Sequence, residues 1–248
     1  MNDRQRFARL LRARHPLITV CTPEEDRVLE AIVGACVDGG RPLNTWSAVR
    51  GVYEGIFDTD HHAEQGTEQP AAALRWCWQA AGGRVFLFCD LAPHLGNEVV
   101  VRALRELVSR CATLGGSVVL VDHQESLPDI IRREAVAFHP ALPDDQELLQ
   151  VIRETVATLK KDAPLTVELP KEQVARAVKA LRGLTRSQAR RLVADAMAED
   201  DRFDAADVDR LAEERGRLLG RDSLLEPVAA LGEEVAGAAN LKRWLELR

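Results

Sequence analysis

Aromatic side chains are scarce: six Phe, four Trp and one Tyr make up 4% of 248 residues. The core must therefore be built mainly from Leu, Val, Ile and Ala, in a chain long enough for one large core or two smaller ones. Long apolar runs are missing too. None approaches the roughly 20 residues of a membrane-spanning helix, and the first residues lack the apolar segment of a secretion signal. There is no excess of positive charge: 33 Lys and Arg face 39 Asp and Glu, for a net charge of −6. That balance disfavours a general nucleic-acid binder, which needs several Lys or Arg contacts to phosphate. The five cysteines, Cys21, Cys36, Cys77, Cys89 and Cys111, include no Cys-x-x-Cys pair. Reduced, buried thiols in a cytoplasmic protein are expected from them, not a disulfide framework or zinc site. Finally, no Gly-Lys-Ser or Gly-Lys-Thr occurs anywhere.

What is present centres on residues 84–91. Val85 to Cys89 is a continuous apolar run that ends in Asp90, with Gly82-Gly83 before it and Pro93 and Gly96 after it. Such a run reads as a strand buried on both faces. Chemistry in open α/β sheets sits beyond the carboxyl ends of the strands, where Asp90 stands. A strand that ends in Asp is also how many nucleotide hydrolases hold magnesium.

A helix over residues 3–14, with Asp3 near its start, places Phe7, Leu10 and Leu11 on one apolar face, and Pro16 ends it. That short face points to packing on its own domain in preference to a membrane surface. Leu17 to Cys21 reads as the first strand. Thr22 is the expected N-cap of the next helix, with Pro23 at its first position and Glu24, Glu25 and Asp26 at its positive end. A phosphate loop would lie at this strand–helix turn. It needs glycines, free backbone N–H groups and a Lys. The turn instead has no glycine, loses an N–H at Pro23 and offers three carboxylates, so it repels phosphate.

Residues 42–47 read as a second strand. The adjacent His61-His62 lack partners at metal-ligand spacing and read as part of a solvated loop. A helix from 68 to 81 presents Leu74, Cys77 and Trp78 to the core. Asn97 caps a further helix that closes at Gly115-Gly116. Ser117 to Val121 is a strand ending in Asp122, residues 128–134 are a helix or turn, and 136–138 form a short strand. Five strands alternating with helices imply a parallel sheet sandwiched by helices. After Asp144 only helical patterns follow, near 145–161, 170–182, 186–199 and 204–219, with Thr185 and Asp204 as caps. The expected organisation is an α/β domain over 1–142, a helical bundle over 143–220 and a linker over 221–248. Arg182, Arg186, Arg190 and Arg191 cluster at one helix junction, where Glu199, Asp200 and Asp201 could pair with them or an acidic partner or neighbouring subunit could dock. The triplet Leu241, Trp244 and Leu245 suggests partner surface at the far end.

Several segments together carry a resemblance. They are Leu10 to Ile18; Thr22 with Glu24 to Leu29; Thr45-Trp46-Ser47 with Arg50-Gly51; Leu142-Pro143-Asp144; Gly183-Leu184-Thr185; and Val235 to Leu245. Over nearly its whole length the chain resembles the degenerate, P-loop-free N-terminal half of a bacterial and plastid family of AAA ATPases. The Thr-Trp-Ser-x-x-Arg-Gly segment and the terminal lead-in are the most specific parts. In the lead-in Ala238 stands where the second of two glycines is usual.

The resemblance implies an AAA+-like P-loop NTPase fold without its P-loop, followed by an all-α lid. It places Asp90 at the Walker B magnesium position, with Leu91 in place of the water-activating Glu, and Asp122 at the end of the sensor 1 strand. Arg186 falls near the lid's sensor arginine, but the match does not carry that role over. No catalytic, cofactor-binding or metal residue is expected in this chain, since phosphoryl transfer depends on the missing positioning groups. ATP and magnesium are expected only in a following AAA core, and the lead-in's end at Arg248 suggests that the chain is a piece of a longer protein. The expected function is assembly, regulation or partner recognition for an AAA ATPase. Its partners would be the AAA core of the same protein or neighbouring subunits, with no membrane and with nucleic acid disfavoured. Trp46, Arg50, Gly51, Arg186, Arg190 and Trp244 are the candidate interaction residues. The alternative is a magnesium-dependent phosphoryl-transfer enzyme or nuclease using Asp90 and Asp122, with Glu24, Glu25 and Asp26 nearby.

Overall fold

The computed structural model describes residues 2–55, 63–124, 126–162, 166–167, 170–198 and 202–221. His61, His62, Glu199 to Asp201 and the terminal segment with Trp244 lie outside them. The chain divides into two compact units, Met1–Ala141 and Leu142–Arg248.

In the first unit, helix α1 (Asp3–Arg12) leads into β1 (Leu17–Cys21), α2 (Glu25–Asp38), β2 (Leu43–Ser47) and β3 (Gly51–Glu54). Then follow α3 (Pro70–Ala80), β4 (Val85–Cys89), α4 (Glu98–Leu114), β5 (Ser117–Asp122), α5 (Asp129–Glu134) and β6 (Val136–Ala137). The sheet order is β3-β2-β4-β5-β1-β6. All pairs are parallel except β2 with β3. The five expected strands are present, and a sixth, antiparallel edge strand adds to them.

Alternate residues of each strand enter opposite cores. Leu17, Phe86, Phe88, Val118 and Leu120 face α3 and α4, while Ile18, Val20, Val85, Leu87, Val119 and Val121 face α1 and α2. Because both faces are covered, the central strands carry no polar alternation. Each fully buried Phe or Leu contributes about 1.5–3 kcal/mol of hydrophobic stabilisation. Phe7 and Leu11 of α1 are buried in this layer, with the Phe7 ring edge-on to Phe138 at 5.3 Å. The apolar face of α1 is thus used within its own domain. Asn2 and Gln5 close a capping box at its start, and Arg14 turns left-handed (φ 56°) just before Pro16.

Some expected details differ. Thr22 is not the cap of α2: the helix begins at Glu25, and the Thr22 hydroxyl accepts the Glu24 N–H at 3.1 Å. Trp78 does not enter the core but stays 39% exposed. Cys21 is exposed, whereas Cys36, Cys77 and Cys111 are buried. Burial pushes the Cys36 thiol up to about 11 and the Cys111 thiol up to about 12.

The second unit comprises α6 (Asp145–Asp162), α7 (Lys171–Leu181), α8 (Arg186–Met197) and α9 (Ala205–Arg221). A two-residue parallel pair, β7 (Thr166–Val167) and β8 (Arg202–Phe203), lies among them. It had no counterpart in the helical reading, because two residues carry no periodicity. Thr185 caps α8 in a capping box with Gln188, and Asp204 accepts the Ala206 N–H at 2.7 Å. Leu148, Leu181, Leu192, Phe203 and Leu211 belong to this unit's own core.

Candidate functional site

The carboxyl edge of the sheet gathers the chemistry-bearing residues of the first unit. The chain from β1 crosses to β2 on the α2 face, while β5 continues toward β6 on the opposite face through α5. Neighbouring strands thus diverge beyond Cys21 and Asp122, which pair directly in register. This is the crevice where open α/β sheets bind ligands.

The β1–α2 turn occupies the phosphate position in that crevice. The Thr22 N–H donates to the Asp122 carbonyl at 2.9 Å, and the Thr22 hydroxyl is taken by Glu24. Pro23 has no N–H to give. Glu24 forms an ion pair with Arg27 at 3.8 Å, and Glu25 and Asp26 fill the first turn of α2. The positive end of α2, which would otherwise favour an external anion, carries the chain's own carboxylates in its first turn, without a side-chain cap hydrogen bond. Partial burial raises the Glu25 carboxyl above its ordinary range, and the charges of Asp90 and Asp26 add to this. These residues fit a triphosphate poorly: the Thr22 and Glu24 N–H groups are taken, Pro23 has none, and the carboxylates of Glu24, Glu25 and Asp26 bring negative charge to the turn.

Asp90 and Asp122 end the adjacent strands β4 and β5, as the sequence implies. Asp90 is held left-handed (φ 55°), a conformation that Asp tolerates better than most residues. Its carboxylate lies 2.8 Å from His123 Nδ1, with both side chains about half exposed. A polar contact this open contributes at most about 1 kcal/mol. Asp122 differs. It is 5% exposed, and its Oδ1 accepts the Ala92 N–H at 2.7 Å, pinning the loop after β4. Burial pushes its carboxyl up to about 6, against the opposing Ala92 hydrogen bond and with help from Asp90. Among the described residues no group of three His, Cys, Asp or Glu side chains could hold a metal ion. His123 was not anticipated; its position directly after a strand-ending Asp is the one signal that could have found it.

The candidate interaction residues fall in both units. Trp46 is 1% exposed, 5.6 Å from the Phe88 ring, and its Nε1–H donates to the Thr67 carbonyl at 2.7 Å. It is a core residue and cannot meet a partner. Gly51 is also structural. Its φ is 75°, and a Cβ there would come within 2.6 Å of Thr67 Oγ1, which accepts the Val52 N–H. The Thr-Trp-Ser-x-x-Arg-Gly segment is thus the β2–β3 hairpin with its fastening to Thr67. Of the three, only Arg50 is exposed, 5.6 Å from the Tyr53 ring. In the helical unit Arg182 pairs bidentately with Asp145 at 2.5 and 2.7 Å, and Arg186 pairs with Glu147. These partners come from α6. Arg190 is exposed on α8.

The strand order, the helical unit that follows and the Asp-ended β4 define an AAA-type ATPase module with an altered phosphate turn. The chain belongs to the SpoVK-like AAA ATPase family: residues 3–140 match the family's N-terminal domain and 146–222 its second domain. It is similar to the uncharacterised AAA domain-containing protein ycf46 of Pyropia yezoensis (24% identity, all of this chain, 49% of that protein). The Guillardia theta ycf46 protein is also 24% identical, over 98% of this chain and 47% of its own length. The chain thus spans about half the length of these relatives. A chain in the solved E. coli MS115-1 HORMA:CdnC:Trip13 complex shares the fold at a TM-score of 0.55 and 15% identity, covering 86% of both chains. No helix among the described residues is long and apolar enough to cross a membrane.

Proposed function

We propose that this chain is a catalytically silent AAA-like unit that serves assembly, regulation or partner recognition for an AAA ATPase, in the cytoplasm. The observation that carries this reading is the β1–α2 turn. The N–H groups of Thr22 and Glu24 are spent internally, Pro23 donates nothing, and Glu25 and Asp26 occupy the helix end that a nucleotide needs. Phosphoryl transfer rests on positioning and charge stabilisation, and such a turn supplies neither. Leu91, buried in the core where the water-activating Glu would stand, removes the second requirement. ATP and magnesium then belong to a following AAA core. Release of inorganic phosphate from ATP by this chain should stay at the no-protein background; turnover that is lost in Asp90→Asn would contradict the reading. The same variant addresses the magnesium-enzyme alternative. A magnesium-dependent rise in Tm that disappears in Asp90→Asn would favour it, whereas the proposal expects no magnesium effect on either protein.

A further inference from the structure

Two adjoining grooves, of about 710 and 420 Å³, run over the outer surface of α3 and α4 in the first unit. Both reach Trp78, Arg102 and Glu106. Along α4 the residues Val99, Arg102, Glu106, Arg110 and Thr113 recur at three- and four-residue spacing, so they form one outward stripe. Apolar surface is open here: Trp78 is 39% exposed, Val99 64% and Leu114 43%. The charge of the grooves runs against that of the chain. Four arginines (75, 102, 105 and 110) face Glu106 and Glu134, in a chain of net charge −6.

Two of these cations are already answered: Arg102 pairs with Glu106 at 2.7 Å and Arg105 with Glu134 at 3.7 Å. Arg75 and Arg110 make no ion pair or hydrogen bond among the described residues. Arg110 instead lies over Trp78, its guanidinium carbon 4.2 Å from the ring centroid. Its Nε is enclosed without an acceptor, as is that of Arg105. A guanidinium already held on an indole gives up little further freedom when it pairs with a carboxylate.

We infer that this groove docks an acidic segment of a partner protein, with carboxylates on Arg75 and Arg110 and an apolar side chain against Trp78 and Val99. The inference rests on the partner-recognition reading above and names the chemistry of the partner. Nucleic acid fits less well, because Glu106 and Glu134 repel phosphate and Val99 and Leu114 offer it nothing.

Fluorescence anisotropy of the full chain with a short fluorescein-labelled peptide of alternating Glu and Leu tests this. Saturable binding is expected, weakened at least about tenfold in Arg75→Glu/Arg110→Glu. Arg75→Glu alone, at an exposed position, should weaken it too, and an alternating Lys and Leu peptide should not bind. Any of four results overturns the inference: no binding of the acidic peptide, equal binding by the double variant with an unchanged melting curve, displacement by single-stranded RNA at equal or lower concentration, or self-association in sedimentation velocity that the double variant abolishes. A parallel Mg·ATP titration separates the two claims. Nucleotide binding with the peptide results intact would sink the silent-unit reading alone. Loss of peptide binding without nucleotide binding would sink the groove alone.

Discussion

Asp122 shows how a single carboxyl can be both structural and costly. Its side chain fastens the Ala92 N–H, yet burial pushes its pKa up to about 6. The folded chain therefore holds this proton more tightly than the unfolded one, so its contribution to stability is best below about pH 4 and declines as pH rises through about 6. An asparagine at this position would keep an oxygen for Ala92 without the ionisation. Asp122→Asn is predicted to flatten the stability profile between about pH 4 and 6 and to gain on the order of 1–3 kcal/mol at pH 7 relative to its own difference at pH 4. Urea unfolding at several pH values measures this; a profile parallel to that of the parent would contradict it.

Among the elements, two fastenings hold the sheet's ends. At the amino end Arg41 has no carboxylate partner among the described residues. Its guanidinium donates to the carbonyls of Gly83 (3.1 Å), Leu11 (3.2 Å) and Gly115 (2.5 Å), joining α1 to the segments that enter β4 and β5. Arg41→Met leaves these carbonyls without their donor and is predicted to cost about 2–4 kcal/mol; denaturant midpoints would register it, and a loss below about 0.5 kcal/mol would contradict it. At the hairpin, Gly51→Ala meets both a positive φ and Thr67 Oγ1, so a loss of about 2–4 kcal/mol is expected in the same assay. The strands and helices were legible because their apolar patterns are clear: Val85–Cys89 and Val118–Val121 are unbroken runs, and α4 keeps its stripe over 17 residues. The edge strand β3 was not legible, since Gly51-Val52-Tyr53-Glu54 is short and begins with a strand-weakening glycine. The brace at Arg41, the His123–Asp90 pair and the burial of Trp46 depend on contacts between distant residues, which no local pattern encodes.

At the scale of the whole molecule, the chain keeps the architecture of an AAA-type module while its β1–α2 turn presents a proline and three carboxylates. The absence of a glycine-rich loop was plain in the sequence. How the turn is built was not: Thr22 is tied to Asp122 and Glu24, and Glu25 and Asp26 stand in the first turn of α2. The exposed groove on α3 and α4 was hidden as well, because the spacing of Trp78 suggested a core residue. Isothermal titration of the chain with ATP and magnesium tests the central claim most directly. The account predicts heats no larger than those of dilution. Saturable heat with a micromolar Kd would contradict it, whether or not hydrolysis follows.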